Sequence, residues 1–214
     1  MKKIGLTGAT GFIGTLISQQ IDTEKYEIIP LRNDEENNYF TLDGLIHCAR
    51  SDKNIFDEFG NLAYRPTKEQ WVNEFLTDVY NPHEFTLDML KKNKYLKNII
   101  FISSIYGNKI PKIRRIPPNY LCCKAAERYL AKCLAERLGP QIRVNSIVLG
   151  GVESDRKAAQ QDKDFKAEYI NHTILNKMVK QDEIIGTVEF LLSEAASKGI
   201  TGQEIVIDGG YSII

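Results

Sequence analysis

The sequence predicts an α/β fold in which helices cover both faces of a doubly wound parallel sheet. Three observations lead to this prediction. Short apolar segments alternate with longer segments of helical periodicity along the chain, which is typical of parallel sheets. The 214 residues are enough for one ordinary domain with its own core. The sequence has no repeat, low-complexity stretch or linker, so we expect residues 1–214 to form a single domain.

Six segments are predicted as strands because they are short, apolar and bounded by turn-forming residues. They are KKIGLTG (2–8), YEIIPLR (26–32), DGLIHCA (43–49), LKNIIFISS (96–104), IRVNSIVLGG (142–151) and QEIVIDGG (203–210). The last of them is expected to close the sheet.

Four segments are predicted as helices from apolar residues spaced three or four apart. They cover residues 11–21, 68–92, 120–138 and 181–195. Pro82 lies inside the second helix and should kink or split it, and the Gly-Pro pair at 139–140 should end the third. The expected apolar stripes are Leu121, Ala125, Leu130, Cys133 and Leu134 in the third helix, and Ile184, Ile185, Val188, Leu191 and Leu192 in the fourth.

Composition argues against several classes of protein. Lys plus Arg and Asp plus Glu number 28 each, so the formal net charge is zero. This balance argues against a nucleic-acid or membrane-surface binder driven by overall charge. The four cysteines form no CxxC pair and no zinc-type spacing with histidine, so we expect reduced thiols and no metal site. Since the sequence shows no signal peptide and no membrane-spanning apolar run, we expect a cytoplasmic protein.

The segment TGATGFIG (7–14) joins the first strand to the first helix. Its three glycines, Gly8, Gly11 and Gly14, are spaced as in turns that bring the backbone close to a pyrophosphate at the positive end of a helix. A plain glycine turn has the same composition. The position at the first strand–helix junction of an alternating chain favours a dinucleotide site.

The segment NYLCCK (119–124) places Tyr120 four residues before Lys124. On a helix these two side chains lie one above the other on the same face. The spacing alone leaves two interpretations open, a reaction site or two common residues that share a helix face.

Six segments in order resemble motifs of the short-chain dehydrogenase/reductase family along nearly the whole chain. They are TGATGFIG, LIHCA, FISSIYG, YLCCK, IRVNSIVLGGVES and FLLSEAASKGITGQEIVIDGG. The resemblance implies a Rossmann-like fold and an NAD(P)-dependent oxidoreductase that interconverts a carbonyl and a secondary alcohol. YLCCK then matches the YxxxK motif of the family. Ser104 matches its catalytic serine because Gly107 follows three residues later.

The resemblance assigns a role to each of these residues. Tyr120 would exchange a proton with the substrate, Ser104 would hold the substrate oxygen, and Lys124 would bind the nicotinamide ribose. A free phenol has a pKa of about 10, and a neighbouring ammonium and an oxidised nicotinamide ring favour the phenolate. The cofactor carries the hydride, and the protein supplies position and a proton.

The resemblance also implies a set of cofactor-binding residues. They are Gly8, Thr10, Gly11, Phe12, Ile13, Gly14, Arg32, Cys48, Ala49, Tyr120, Lys124, Gly150, Val152 and Ser154. Arg32 ends the second strand, where an arginine suits the 2′-phosphate of NADP, and Leu31 stands where an acid would select NAD. Asp34 keeps NAD as an alternative, and NADP is the expected preference.

Three positions depart from the family pattern. Asp78 aligns with an asparagine that helps a proton relay, so we count it as a fourth catalytic residue, with Asn81 as the neighbouring alternative. Leu149 stands where a proline commonly follows the fifth strand, and Arg50 where a glycine commonly follows the third. These departures suggest a divergent enzyme or one that is losing its activity.

The largest departure is a deletion, because only residues 33–43 separate the second strand from the third. The family normally has a helix, a strand and another helix there. Eleven extended residues reach about 36 Å, enough to cross one strand, so we expect the edge strand of the family to be absent. Tyr39, Phe40 and Leu42 would partly cover the exposed face, and cofactor binding should be weakened.

The substrate is predicted only by class, as a small carbonyl or alcohol. Family members associated with bacterial surface-sugar and nonulosonate pathways are the most similar, which favours a sugar or nucleotide-sugar over a 3-oxoacyl thioester. A non-enzymatic dinucleotide sensor or scaffold is a further alternative. Residues 153–178 are expected to form a mobile lid. Four cations, Lys109, Lys112, Arg114 and Arg115, would contact an anionic substrate or lie in a solvated loop.

Family members commonly pair through two helices, the one that carries the catalytic tyrosine and the one before the serine strand. The resemblance therefore implies a homodimer or homotetramer with two-fold symmetry. On the tyrosine helix, Cys123, Glu127 and Arg128 lie outside the predicted apolar stripe.

Overall fold

The computed structural model describes residues 1–32, 41–50, 66–110, 116–154 and 163–214, with side chains from 166 onward in the last range. The strands in these ranges are β1 (Lys2–Thr7), β2 (Tyr26–Leu31), β3 (Gly44–His47), β4 (Asn98–Ser104), β5 (Arg143–Leu149) and β6 (Glu204–Ile207). The helices are α1 (Phe12–Gln20), α2 (Lys68–Phe75), α3 (Asn81–Lys92), α4 (Pro118–Leu138), α5 (Lys163–Asn171), α6 (Gln181–Leu192) and α7 (Glu194–Ser197).

All the described strands run parallel in one sheet of order β2-β1-β3-β4-β5-β6. Adjacent strand residues face opposite sides of the sheet. Ile46 and Ile100 accordingly pack in one core cluster with α1 and α6. Leu45 and Phe101 pack in the other with α3 and α4. The predicted doubly wound α/β fold is confirmed.

The shortened link between β2 and β3 has the effect predicted from its length. The chain leaves β2 on one side of β1 and enters β3 on the other, so it crosses a single strand. Within the described residues β2 is the outermost strand on this side. Leu42 is buried against the same core cluster as Leu31, as expected of a covering residue. Tyr39 and Phe40 lie outside the described residues.

The helical stretch that contains Pro82 is divided, as predicted. α2 begins at a capping box in which Thr67 and Gln70 exchange hydrogen bonds between side chain and backbone. Residues Leu76–Tyr80 then form a π-helical turn, and α3 follows with Pro82 near its start. Proline has no N–H to donate, and a π turn is a common way to accommodate such a break. The π turn holds Asp78 fully buried.

The predicted apolar stripe of α4 is wrong at two of its five positions, whereas that of α6 is right at all five. Ala125 and Cys133 are exposed, and Cys123 and Glu127, which were expected outside the stripe, are buried. The reason is that α4 turns a partly polar face toward α2 and the π turn. The residues that α4 buries are Asn119, Cys123, Lys124, Glu127, Ala131, Leu134 and Ala135. In α6 all five predicted apolar residues are buried.

No helix in the described part of the chain is long and apolar enough to cross a membrane.

Candidate active site at the carboxyl ends of the strands

The predicted site residues gather where the parallel strands end. Gly8 follows β1, Cys48 and Ala49 follow β3, Ser104 ends β4, and Gly150 follows β5. In an open parallel sheet these carboxyl ends share one edge, which is where ligands of such folds bind.

The glycine turn has the geometry of a phosphate-binding loop. Gly8 has φ +68°, and a Cβ at Gly8 would lie 2.6 Å from the Ala49 backbone. A Cβ at Gly14 would lie only 2.1 Å from the Gly8 carbonyl oxygen. Thr10 and Gly11 are exposed ahead of α1, whose first turn contains no acidic residue. The start of a helix attracts anions, so the turn with Gly8, Gly11 and Gly14 could hold a dinucleotide pyrophosphate, with Phe12 and Ile13 half-buried in the first turn.

Ser104 is held close to α4 by a second glycine contact. The Tyr106 N–H donates to Ser104 Oγ at 3.3 Å, which caps the short 3-10 turn Ile105–Gly107. A Cβ on Gly107 would lie 2.8 Å from the Lys124 backbone carbon. Only a glycine allows this turn to approach α4 so closely. The spacing of Ser104 and Gly107 in sequence therefore has a structural reason.

Tyr120 lies half-buried in the first turns of α4, with two cations near its ring. Lys124 Nζ is 5.8 Å from the ring centroid, and the Arg50 guanidinium carbon is 5.1 Å from it. Both distances are within the range of cation–π attraction. Arg50, which replaces a glycine of the family pattern, is exposed and thus lies at the mouth of the site.

Lys124 is buried between two carboxylates. Its Nζ lies 3.2 Å from Asp78 Oδ2, 3.2 Å from Glu127 Oε1 and 3.3 Å from Glu127 Oε2. Burial disfavours the ammonium, but Asp78 and Glu127 outweigh burial and raise the pKa of Lys124 above its ordinary value. Neither Asp78 oxygen accepts a hydrogen bond from another described residue, so its contact with Lys124 is an ion pair without hydrogen-bond geometry.

A third carboxyl group, Glu74, lies one helical turn before Asp78 and is only 2% exposed. Burial, assisted by the charge of Asp78, raises the pKa of Glu74 to about 7. We call Glu74, Asp78, Lys124 and Glu127 the lysine cluster. Glu74 and Glu127 were not predicted as site residues, although the sequence places Glu74 four residues before Asp78 and Glu127 three residues after Lys124.

The remaining cofactor-side residues line the ends of β2, β3 and β5. Arg32 is exposed directly after β2, while Leu31 is buried in the core. Cys48 and Ala49 are half-buried after β3, and the Cys48 N–H donates to Thr7 Oγ1 at 3.2 Å. Burial raises the pKa of the Cys48 thiol to about 12, so this cysteine stays a neutral packing residue.

The segment after β5 is anchored by Tyr169 of α5. The Gly151 N–H donates to Tyr169 Oη at 2.6 Å, and the Tyr169 ring stacks on Tyr211 with 4.5 Å between centroids. Val152 forms a backbone bridge with Val179, and Ser154 follows, half-buried. The described part of the expected lid is thus packed against the segment that follows β5, and its mobility and its closure over a substrate stay predictions.

Lys109 contacts the last residues of the chain. Its Nζ donates to the Ser212 carbonyl at 3.4 Å and to the Ile214 carbonyl, and lies 6.0 Å from the Tyr211 ring centroid. These contacts give Lys109 a packing role that neither sequence interpretation proposed. Lys112, Arg114 and Arg115 lie outside the described residues. Among the described residues no group of His, Cys, Asp and Glu could hold a metal ion.

The chain is similar in sequence to several known proteins. The profile of a family described as enoyl-(acyl carrier protein) reductase matches residues 23–212. Post-translational flagellin modification protein A of Campylobacter coli is 28% identical over 212 residues, which cover 92% of this chain and 78% of that protein. L-xylulose reductase of Caenorhabditis elegans is 37% identical over 202 residues, 88% of this chain and 77% of that protein.

The fold is also shared with a solved structure. A 4-hydroxyisoleucine dehydrogenase complexed with NADH has a TM-score of 0.81 and 20% identity, with 100% of each chain covered. From the family profile, the relatives and the shared fold together, the chain belongs to the short-chain dehydrogenase/reductase family and is an NAD(P)-dependent oxidoreductase.

Proposed function

We propose that this oxidoreductase interconverts a carbonyl and a secondary alcohol on a sugar or nucleotide-sugar, with Tyr120, Ser104, Lys124 and Asp78 as its catalytic residues. The observation that carries the proposal is the position of Lys124. It lies one turn below Tyr120, against the Ser104–Gly107 turn, at the ligand-binding edge of the sheet.

The proposed mechanism assigns one task to each side chain. The nicotinamide supplies a hydride when the cofactor is bound. Tyr120 Oη gives a proton to the carbonyl oxygen, while Ser104 Oγ donates a hydrogen bond that holds this oxygen in place. An ammonium has three N–H donors. Lys124 donates to the two oxygens of Glu127, and its contact with Asp78 is an ion pair without a hydrogen bond, so at least one N–H remains for a ribose hydroxyl.

The substrate class rests on the relatives. A flagellin modification protein and an L-xylulose reductase both cover most of this chain, and both names fit a polyhydroxylated or surface-sugar substrate. A 3-oxoacyl thioester is the second candidate, because the matching family profile carries an acyl-carrier-protein reductase description.

The decisive test measures turnover of a panel of substrates through the change in nicotinamide absorbance. It should include ketoses, keto nucleotide-sugars and an acetoacetyl thioester, each with NADPH and with NADH. We expect turnover of a sugar carbonyl that falls about 10²-fold or more in Tyr120→Phe, with folding and cofactor binding retained. Turnover of the thioester alone would favour the second candidate. A parent protein without turnover would favour a dinucleotide sensor or scaffold.

We also propose that NADP is preferred over NAD. Arg32 is exposed where β2 ends, and β2 pairs with β1 so that Leu31 lies beside Thr7, next to the glycine turn. An arginine there suits a 2′-phosphate. Asp34, the basis of the NAD alternative, lies outside the described residues. Titration of both dinucleotides should show tighter NADP binding, reduced about tenfold in Arg32→Ala. If the parent protein bound NAD more tightly than NADP, and Arg32→Ala left this affinity unchanged, the proposed preference for NADP would be contradicted.

We further propose a symmetric homodimer or homotetramer. Large apolar side chains recur on one exposed face of the α2–α3 stretch, at helical spacing: Trp71, Val72, Phe75, Leu76, Tyr80 and Leu87. Tyr129 on the neighbouring α4 is 69% exposed. A monomer rarely leaves a contiguous apolar surface uncovered, and two-fold pairing would cover it. Light scattering at micromolar concentration should show a dimer or tetramer, and a monomer alone would contradict the proposal.

A further inference from the structure

Glu127 contacts the lysine that the mechanism uses, yet the mechanism gives it no task. It lies three residues after Lys124 on the inner face of α4 and is 2% exposed. Both of its carboxyl oxygens are within 3.3 Å of Lys124 Nζ. Glu127 therefore acts on the catalytic pair through the charge of Lys124, and it has almost no contact with water.

The lysine cluster contains more acid than base. Glu74, Asp78 and Glu127 are each no more than 2% exposed, and Lys124 is in ion-pair contact with two of them, Asp78 and Glu127. With all three carboxyls ionised, a buried volume of low dielectric would carry excess negative charge, which is costly. The cluster should therefore keep protons on some of its carboxyls at neutral pH.

Glu127 is one of the carboxyls in which burial favours the protonated form. Burial raises the pKa of Glu127 to about 7, although the Lys124 ammonium opposes the shift. The charge of the cluster thus changes within the physiological pH range, at a carboxyl that touches Lys124.

Other titratable and charged groups also face this position. Those near Glu127 or its partners are Glu74 from α2, Asp78 from the π turn, Cys48 and Arg50 from the end of β3, and Tyr120, Cys123 and Lys124 from α4 itself. Burial raises the pKa of both Cys48 and Cys123 to about 12. These thiols therefore stay neutral while Glu127 titrates.

We propose that Glu127 is a charge-setting residue that keeps Tyr120 protonated, and so poises the enzyme for carbonyl reduction at neutral and mildly alkaline pH. The proposal rests on the proposed function, in which Tyr120 is the proton donor. An ionised Glu127 cancels much of the Lys124 charge, so the pair favours the phenolate less strongly. Reduction requires the phenol as donor, and oxidation requires the phenolate as acceptor.

The proton balance follows directly. In reduction, the Tyr120 O–H bond breaks, its proton joins the substrate oxygen, and the phenolate recovers a proton from solvent. Glu127 transfers nothing in this step. It acts as a positioning residue that sets the pH at which the phenol remains available.

The experiment compares the parent with Glu127→Gln, which keeps the shape and removes the charge. The pH above which reduction falls, and the pH at which oxidation begins, should both move down by about one unit in Glu127→Gln. Glu127→Asp keeps the carboxylate and should restore most of the parental profile. Glu136→Gln, at an exposed position of the same helix, should leave the profile unchanged. A uniform loss of rate in Glu127→Gln without a shift would overturn the proposal.

A second measurement needs no turnover. The Cζ resonance of Tyr120 in ¹³C-tyrosine-labelled parent protein, assigned by its loss in Tyr120→Phe, should show a small inflection near pH 7 as Glu127 ionises. The absence of the inflection would refute the role of Glu127 in the parent itself. If the substrate panel gives no turnover, the proposed function fails, but this measurement still decides the charge coupling.

Discussion

The two halves of the candidate site differ in what builds them. The glycine turn is made of backbone, and its key property is the space that missing side chains leave beside Gly8 and Ala49. The lysine cluster is made of buried charged side chains from α2, the π turn and α4. The glycine turn depends on the absence of side-chain atoms, and the lysine cluster depends on the balance of buried charges. They should respond to substitution in different ways, one through steric overlap and the other through pH and ion pairing.

The largest effect is expected when the cation of the lysine cluster is removed. Lys124→Met keeps an aliphatic stem but leaves Asp78 and Glu127 buried without their counter-ion, which should lower the free energy of unfolding by about 3–5 kcal/mol at pH 8. Turnover and cofactor affinity should fall as well. Chemical denaturation measures the free energy of unfolding. Lys132→Met is the control, because Lys132 lies on the same helix as Lys124 but forms its ion pair with Glu204 at the surface.

If Lys124→Met and Lys132→Met lowered the free energy of unfolding by the same small amount, the idea that Lys124 balances the buried carboxylates would be wrong. Adding Glu127→Gln to Lys124→Met should return part of the lost stability, since one uncompensated acid is then gone.

A pH-dependent effect of up to about 3 kcal/mol is expected at Glu74. The pKa of this carboxyl rises from 4.5 to about 7 on folding, so between these pH values the unfolded chain loses a proton that the folded chain keeps. Stability from this group is therefore complete below pH 4.5 and declines as pH rises to about 7. Glu74→Gln removes the decline, so the variant should match the parent at pH 4.5 and exceed it at pH 8. Denaturation at both pH values measures this difference, and a pH-independent difference would contradict the assignment.

The smallest of the three effects is expected in the glycine turn. Gly14→Ala places a methyl group 2.1 Å from the Gly8 carbonyl oxygen, so the turn must shift. This should cost about 1–3 kcal/mol and weaken dinucleotide binding about tenfold or more, as measured by calorimetry. Gly186→Ala is the matched control, because a Cβ there meets nothing within 4 Å. A helical Gly→Ala change of this kind should be slightly stabilising.

The same contrast explains what the sequence predicted. The α6 stripe was predicted residue by residue because an apolar face that packs on a sheet repeats with the helical period. The glycine turn and the single-strand crossing were predicted from local composition and chain length. The buried polar face of α4 was missed because Lys124 and Glu127 pair with each other inside the fold and Lys124 also pairs with Asp78 of the π turn. No local pattern in α4 shows that Asp78, 46 residues earlier, will face Lys124.

β2, the outermost strand on its side of the sheet among the described residues, has a consequence for behaviour at high concentration. The Lys2 N–H donates to the Lys25 carbonyl, so in the alternating strand Glu27, Ile29 and Leu31 turn their backbone groups toward β1. Pro30 therefore faces away from the sheet, where its lack of an N–H leaves a gap in the row of donors. A second chain could not continue the ladder past this point. A short edge strand interrupted in this way resists edge-to-edge aggregation, a risk that the shortened link would otherwise raise.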